Sequence, residues 1–170
     1  MTKIIIELTD GRVMNAELYE DIAPLSCENF LKLIDAKFFD NLIFHRVIPG
    51  FMIQGGGFSD NGMGGLIHKE SPFAPIKGEF IANGIKNDLK HVPGVLSMAR
   101  TQVMDSGTSQ FFLCVDDCSF LNGQYAGFGA LSDEESLKVA QDISKVPTHN
   151  WSYYGDIPDD PVVIKTIKRA

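Results

Sequence analysis

Residues 44–57 read FHRVIPGFMIQGGG. Two runs rich in β-branched and aromatic residues, Ile43 to Ile48 and Phe51 to Gln54, are strand candidates, and glycines 55 to 57 end the second. One arginine, Arg46, stands among Phe44, Val47, Ile48, Phe51, Met52 and Ile53, with no acidic residue in the stretch. A permanent positive charge in apolar surroundings is costly unless something pairs with it. Two questions follow: which fold uses strands this short, and what Arg46 is for.

On the N-terminal side, Lys3 to Leu8 is a β-branched run, followed by Asp10-Gly11 and then by Val13 to Tyr19 with polar residues interleaved. A D-G between two such runs predicts a hairpin. Pro24 opens a helical pattern in which Leu25, Phe30, Leu33, Ile34 and Phe38 share a face, ending near Phe39-Asp40. On the C-terminal side the strand candidates are Gly94 to Ala99, Phe111 to Val115 and Ala126 to Leu131, with a turn at Asn122-Gly123. Ser132-Asp133-Glu134-Glu135 has the form of a capping box led by Ser132, and Leu137, Ala140 and Ile143 continue a second helix. Val162 to Ile167 is a closing strand. The segment THNWSYYGDIPDDP before it is expected to be a surface loop, with Trp151 as an interaction patch. Short strands with two helices predict a mainly β protein, a barrel or sandwich with helical caps. Phe111, Leu113, Phe128 and Leu131 predict a filled interior, which argues against a ligand-holding barrel of the lipocalin kind.

The chain has 170 residues, which predicts one domain over 1–170. It carries 15 Lys and Arg against 22 Asp and Glu, a net charge of −7, with no basic stripe. Nucleic acid and anionic lipid are therefore not expected partners. The three cysteines, Cys27, Cys114 and Cys118, fit neither a disulfide framework nor a zinc ribbon, and are expected as buried free thiols. The start, MTKIIIELTDG, has neither the form of a signal peptide nor that of a membrane span, so the cytoplasm is the expected location, and monomer is the default state.

Familiar catalytic signatures are missing. There is no G-x-S-x-G elbow, the four histidines are scattered, and the glycine clusters match no phosphate-binding motif. The adjacent pairs Asp116-Asp117 and Asp159-Asp160 read as turn material. Chemistry without a nucleophile, metal or cofactor remains, and rotation about a peptide bond is such a reaction.

FHRVIPGFMIQGG closely resembles the signature of the cyclophilins, the peptidyl-prolyl cis–trans isomerases that bind cyclosporin. Gly94-Val-Leu-Ser-Met-Ala99, Ser109-Gln-Phe-Phe-Leu-Cys114, Phe120-Leu121-Asn122-Gly123 and Phe128-Gly129 follow in the family's order. IKGEF, and NDLKH before GVLSMARTQ, are similar to the bacterial-type single-domain branch. The resemblance runs from about Lys3 to Ile167. It implies a closed eight-stranded antiparallel β-barrel capped by two α-helices, with substrate in a groove on the outer face. It implies that Arg46 donates to the prolyl nitrogen at the twisted midpoint of rotation. It makes Gln54 the residue that steadies this arginine, and Phe51, Met52, Phe112 and Leu121 the proline pocket. Ala99, Arg100 and Gln110 become groove residues, with the contact at Arg100 made through its backbone. Phe120 and Tyr125 stand where many eukaryotic members carry tryptophan and histidine, and Arg100 where many carry asparagine. Activity is expected to survive these departures, and affinity for cyclosporin-like cyclic peptides to fall. No metal or cofactor is implied; the implied partners are proline-containing polypeptides. A binding module with the same groove and little catalysis is the alternative, which Arg46 and Gln54 disfavour.

Overall fold

The computed structural model describes residues 1–170. Strand β1 (Thr2–Leu8) turns Ile4, Ile6 and Leu8 inward, and β2 (Val13–Leu18) turns Met14, Ala16 and Leu18 inward. This is the period-two pattern of a half-buried sheet. The D-G turn between them forms as read. Gly11 has φ +95°, a left-handed conformation, and the Asp10 carboxylate accepts from the Arg12 backbone N–H at 2.9 Å.

Helix α1 (Pro24–Asp35) buries Ser26, Cys27, Phe30, Leu33 and Ile34. It stops before the expected end, because Lys37 adopts φ +55°. Phe38 and Phe39 are still buried, carried inward by the turn that follows. Leu25, expected on the apolar face, is exposed, and Ser26 lies inside. The reason lies 53 residues away: the buried carboxylate of Glu79 accepts from the backbone N–H groups of Leu25 (3.2 Å) and Ser26 (2.6 Å) and from the Ser26 hydroxyl (2.8 Å). Ala23 has no side chain able to cap the helix, so Glu79 satisfies the free amides from another segment.

The strands after α1 are β3 (Phe44–Ile48), β4 (Met52–Gly55), β5 (Phe58–Asp60), β6 (Leu66–His68), β7 (Val95–Met98), β8 (Phe111–Cys114) and β9 (Gly127–Leu131). Helix α2 (Glu134–Ser144), β10 (Thr148–Trp151), β11 (Tyr154–Pro158) and β12 (Ile164–Arg169) complete the chain. Asp133, not Ser132, caps α2, accepting from the Ser136 N–H at 2.7 Å. Ser132 is unavailable because its N–H still pairs with Asn15 O at 2.8 Å, which prolongs the pairing of β9 with β2.

Eight strands form one antiparallel sheet in the order β12-β1-β2-β9-β7-β8-β4-β3. The expectation of a closed barrel is corrected: the sheet curls into a half-barrel whose end strands share no ladder. They meet at one bridge, Ile43 with Val163, flanked by Phe44 N–H to Val162 O (3.1 Å) and Ile164 N–H to Leu42 O (2.8 Å). Both strands are short and touch only near their starts. The interior is filled as predicted. Phe111 is fully buried, with its ring 5.2 Å from Phe30, 5.6 Å from Phe39 and 6.0 Å from Phe44.

The segment expected as a loop is the β10–β11 hairpin, and it packs with the β5–β6 hairpin around Ile43, Phe58, Leu66 and Ile157. Its strands bury only Ile157 and Pro158 and its turn uses Ser152 at φ +55°, so little in the residue pattern marks it. Gly65 permits the contact: a Cβ there would lie 2.4 Å from the Trp151 ring.

His149 ties the two hairpins together. Nδ1 lies 2.8 Å from Asp159 Oδ1, and Nε2 lies 2.6 Å from Gly64 O. Both partners are acceptors, so both bonds form only on the imidazolium. The Gly64 carbonyl, then Asp159, raise its pKa above the ordinary value. A raised folded-state pKa means the clip stabilises fully below about pH 6.5 and is lost as pH rises through the raised value. An NMR titration of the His149 ring is expected to show a midpoint above 6.5, with faster amide exchange at 61–65 on the alkaline side. A midpoint at or below that value contradicts the clip.

Candidate active site

Sheet register builds the site. Arg46 pairs with Gln54, Gln54 with Phe112, and Phe112 with Ser97, so one row crosses β3, β4, β8 and β7. Met52, two residues before Gln54, shares its face, and pairs with Cys114. The opposite face carries Val47, Ile53, Leu113 and Leu96 into the interior.

Phe44 and Arg46 have the same parity, and in a regular strand would point the same way. A register shift between them, at His45, sends Phe44 inward and Arg46 outward. This resolves the opening question about charge: Phe44, Val47 and Ile53 turn into the interior, away from Arg46, whose side chain is exposed. His45 is buried against Phe58 at 4.6 Å, and burial, then the charge of Arg46, push its pKa down to about 4.

Arg46, Phe51, Met52, Gln54, Ala99, Arg100, Phe112, Leu121 and Tyr125 line one cleft of about 200 Å³. The two remaining sequence-predicted residues stand just outside it. Gln110 accepts at Oε1 from Gln54 Nε2 at 3.0 Å, and Phe120, 68% exposed, packs 5.5 Å from Phe51 at the rim. The Gln54 amide is thus held by Gln110, and no hydrogen bond joins it to Arg46.

The floor is apolar. Phe112 and Met52 are buried over Val95, Cys114 and Cys118. Burial pushes both thiols up, so neither is a thiolate nucleophile at neutral pH. The Phe112 ring stands edge-on to Tyr125 at 5.7 Å and stacks on His91 at 6.2 Å. Sequence reasoning missed His91. Its Nε2 lies 2.8 Å from Ser97 Oγ and its Nδ1 3.1 Å from Asn122 Oδ1, which ties the floor to the turn bearing Leu121. Burial lowers its pKa. No local pattern marks it, because Ser97 lies on the following strand and Asn122 is 31 residues away.

Arg100 forms a wall. Its guanidinium donates to Gln124 O from Nε (3.1 Å) and Nη2 (2.8 Å), and to Thr101 O from Nη1 (3.0 Å). It lies 4.8 Å from the Phe80 ring and 4.7 Å from the Tyr125 ring. No carboxylate, thiolate or histidine lines the cleft. What the site offers is an apolar floor, backbone edges and a guanidinium donor, an equipment suited to turning a bond rather than breaking one.

Comparison with known proteins gives the same direction. Residues 3–169 match the family model of the cyclophilin type peptidyl-prolyl cis-trans isomerase/CLD. The chain is 39% identical to peptidyl-prolyl cis-trans isomerase A of Dickeya dadantii, over 98% of this chain and 84% of that protein. It is 41% identical to peptidyl-prolyl cis-trans isomerase B of Escherichia coli, over 88% of each. A cyclophilin type isomerase of Cryptosporidium parvum, crystallised in the presence of the dipeptide Ala-Pro, superposes with TM-score 0.75 at 31% identity, covering 99% of this chain and 98% of that one. A half-barrel with an outward arginine over an apolar cleft, and a match across nearly every residue, place the chain in the family of cyclophilin-type peptidyl-prolyl cis–trans isomerases.

Proposed function

We propose that the chain catalyses cis–trans rotation about Xaa-Pro bonds in polypeptides and so assists their folding. The observation that carries this reading is Arg46, an unpaired guanidinium beside an apolar floor that holds no base or nucleophile. The planar amide resists rotation with a barrier of about 18–20 kcal/mol. At the twisted midpoint its nitrogen becomes pyramidal and gains a lone pair that accepts a hydrogen bond. A donor that engages only then lowers the barrier without tightening the ground state. A charge-assisted bond contributes about 1.5–3 kcal/mol, or one to two decades of rate. The rest comes from gripping the proline ring among Phe51, Met52, Phe112 and Leu121, and from Gln54, held by Gln110, on the adjoining peptide.

The domain reading is one isomerase unit over 1–170, acting as a monomer in a reducing compartment such as the cytosol. The three buried free thiols support the compartment, and no helix is long and apolar enough to cross a membrane. A protease-coupled isomerisation assay on a proline peptide tests the reading. Acceleration supports it, and binding without acceleration overturns it in favour of a recruiting groove.

Cyclosporin-like cyclic peptides fit the same cleft. Phe120 offers a phenyl ring at the rim and no N–H donor. Phe120→Trp is expected to tighten cyclosporin by up to about tenfold, from the roughly 0.5–1.5 kcal/mol that a hydrogen bond contributes, with little change in proline turnover. Calorimetric titration of both forms decides it; equal affinities rule it out.

A further inference from the structure

The cleft has a sign opposite to that of the molecule. The chain carries a net charge of −7. Yet the charged side chains lining the cleft are Arg46 and Arg100. A side cavity joins it across Arg100 and is lined also by Lys77, with no acid among its walls. None of these three cations belongs to any ion pair of the molecule. The acid that Lys77 influences, Asp105, is engaged by Gly78 N–H at 3.0 Å and Asn83 Nδ2 at 2.8 Å.

Arg100 is held in a way that leaves this charge usable. Two backbone carbonyls and two aromatic faces fix the guanidinium, and none of these partners neutralises it. One N–H on each Nη remains free, since each terminal nitrogen carries two hydrogens and makes one bond. A fixed donor loses little further freedom when it meets a carboxylate. The ring faces also displace water from around it, which strengthens its field.

We infer that Arg100 is a specificity-determining residue that selects Xaa-Pro segments flanked by aspartate or glutamate over those flanked by lysine or arginine. This rests on the isomerase reading above. Exposed ion pairs support about 1.4- to fivefold per acidic residue, so glutamate and lysine flanks, one attracted and the other repelled, differ by about 2- to 25-fold.

The experiment compares three peptides with one Xaa-Pro core and flanking Glu, Gln or Lys, by NMR exchange. For the native chain, kcat/KM follows Glu above Gln above Lys, and the Glu-to-Lys ratio shrinks as salt is raised from roughly 20 to 500 mM, where screening is stronger. In Arg100→Gln the ratio falls towards one. The ratio is the readout because any loss common to all three peptides cancels in it. Lys77→Gln lowers the ratio less, since Lys77 lines only the side cavity. Equal rates for the three peptides in the native chain, or an unchanged ratio in Arg100→Gln, overturn the inference. Acceleration of none of them overturns the isomerase reading instead, and the affinity order from chemical-shift titration of the same peptides then decides the selectivity by itself.

Discussion

Arg46→Ala is expected to slow prolyl exchange at saturating peptide by at least one to two decades while leaving peptide affinity nearly unchanged. The two quantities separate because the guanidinium engages the nitrogen only at the twisted midpoint, and a contact absent from the ground state contributes nothing to binding. The size follows from the roughly 1.5–3 kcal/mol of a charge-assisted hydrogen bond. Arg46→Lys is also impaired, because an ammonium keeps the charge and lacks the planar fork that reaches nitrogen and carbonyl together. The rate of the native chain is flat from about pH 6 to 8. The adjacent His45, with its pKa pushed down to about 4, is already neutral, and no carboxylate, thiolate or histidine lines the cleft. NMR exchange on a proline peptide gives rate and affinity separately. A variant that exchanges at the native rate makes Arg46 a mere lining charge.

Phe111→Ala is expected to cost about 3–5 kcal/mol of stability, the range for emptying a buried aromatic site. Phe111 has no exposed surface and meets Phe30, Phe39 and Phe44 within ring-contact distance. Those rings come from α1, the turn after it and β3, so no single segment can move in to fill the void. At about 2–4 °C per kcal/mol for a chain of this size, the melting temperature falls by roughly 6–20 °C. Scanning calorimetry reads it directly, and a fall under about 3 °C contradicts the packing described. The next residue, Phe112, faces the cleft, so its loss is read in proline turnover.

The local parts of this fold were legible. The D-G turn, the strand cores and α1 follow from chain-neighbour chemistry and need no tertiary information. The parts that were not depend on partners far away in sequence. Ser132 has the right chemistry for a cap, but β2 claims its N–H. Glu79 caps a helix it does not belong to. The site divides in the same way. The motifs named residues that line one cleft. They did not reveal the shift at His45 that turns Arg46 outward, since a strand's parity breaks only against a neighbouring strand. The β10–β11 hairpin was hidden because only Ile157 and Pro158 of its strand residues are buried, so no run of inward apolar side chains marks it.

The pairing of β1 with β12 fixes when the molecule can finish. Ile4 lies opposite Arg169, and the Ala170 N–H donates to Lys3 O at 2.9 Å. Within this sheet, the first strand in chain order therefore waits for the last. At about 5–20 residues per second, that wait is on the order of ten to thirty seconds. Until β9 is made, β1 and β2 have only each other, and a two-stranded ribbon is marginal in water. The outer edge of β1 lies open throughout, with Ile4, Ile6 and Leu8 lacking the interior they belong to. Seven of the eight strands have their ladder partners before β12 is made, and only the outer edge of β1 waits. The pairing of β12 with β1 is the last ladder of the sheet to form, and it waits for Ile164–Arg169 to leave the exit tunnel.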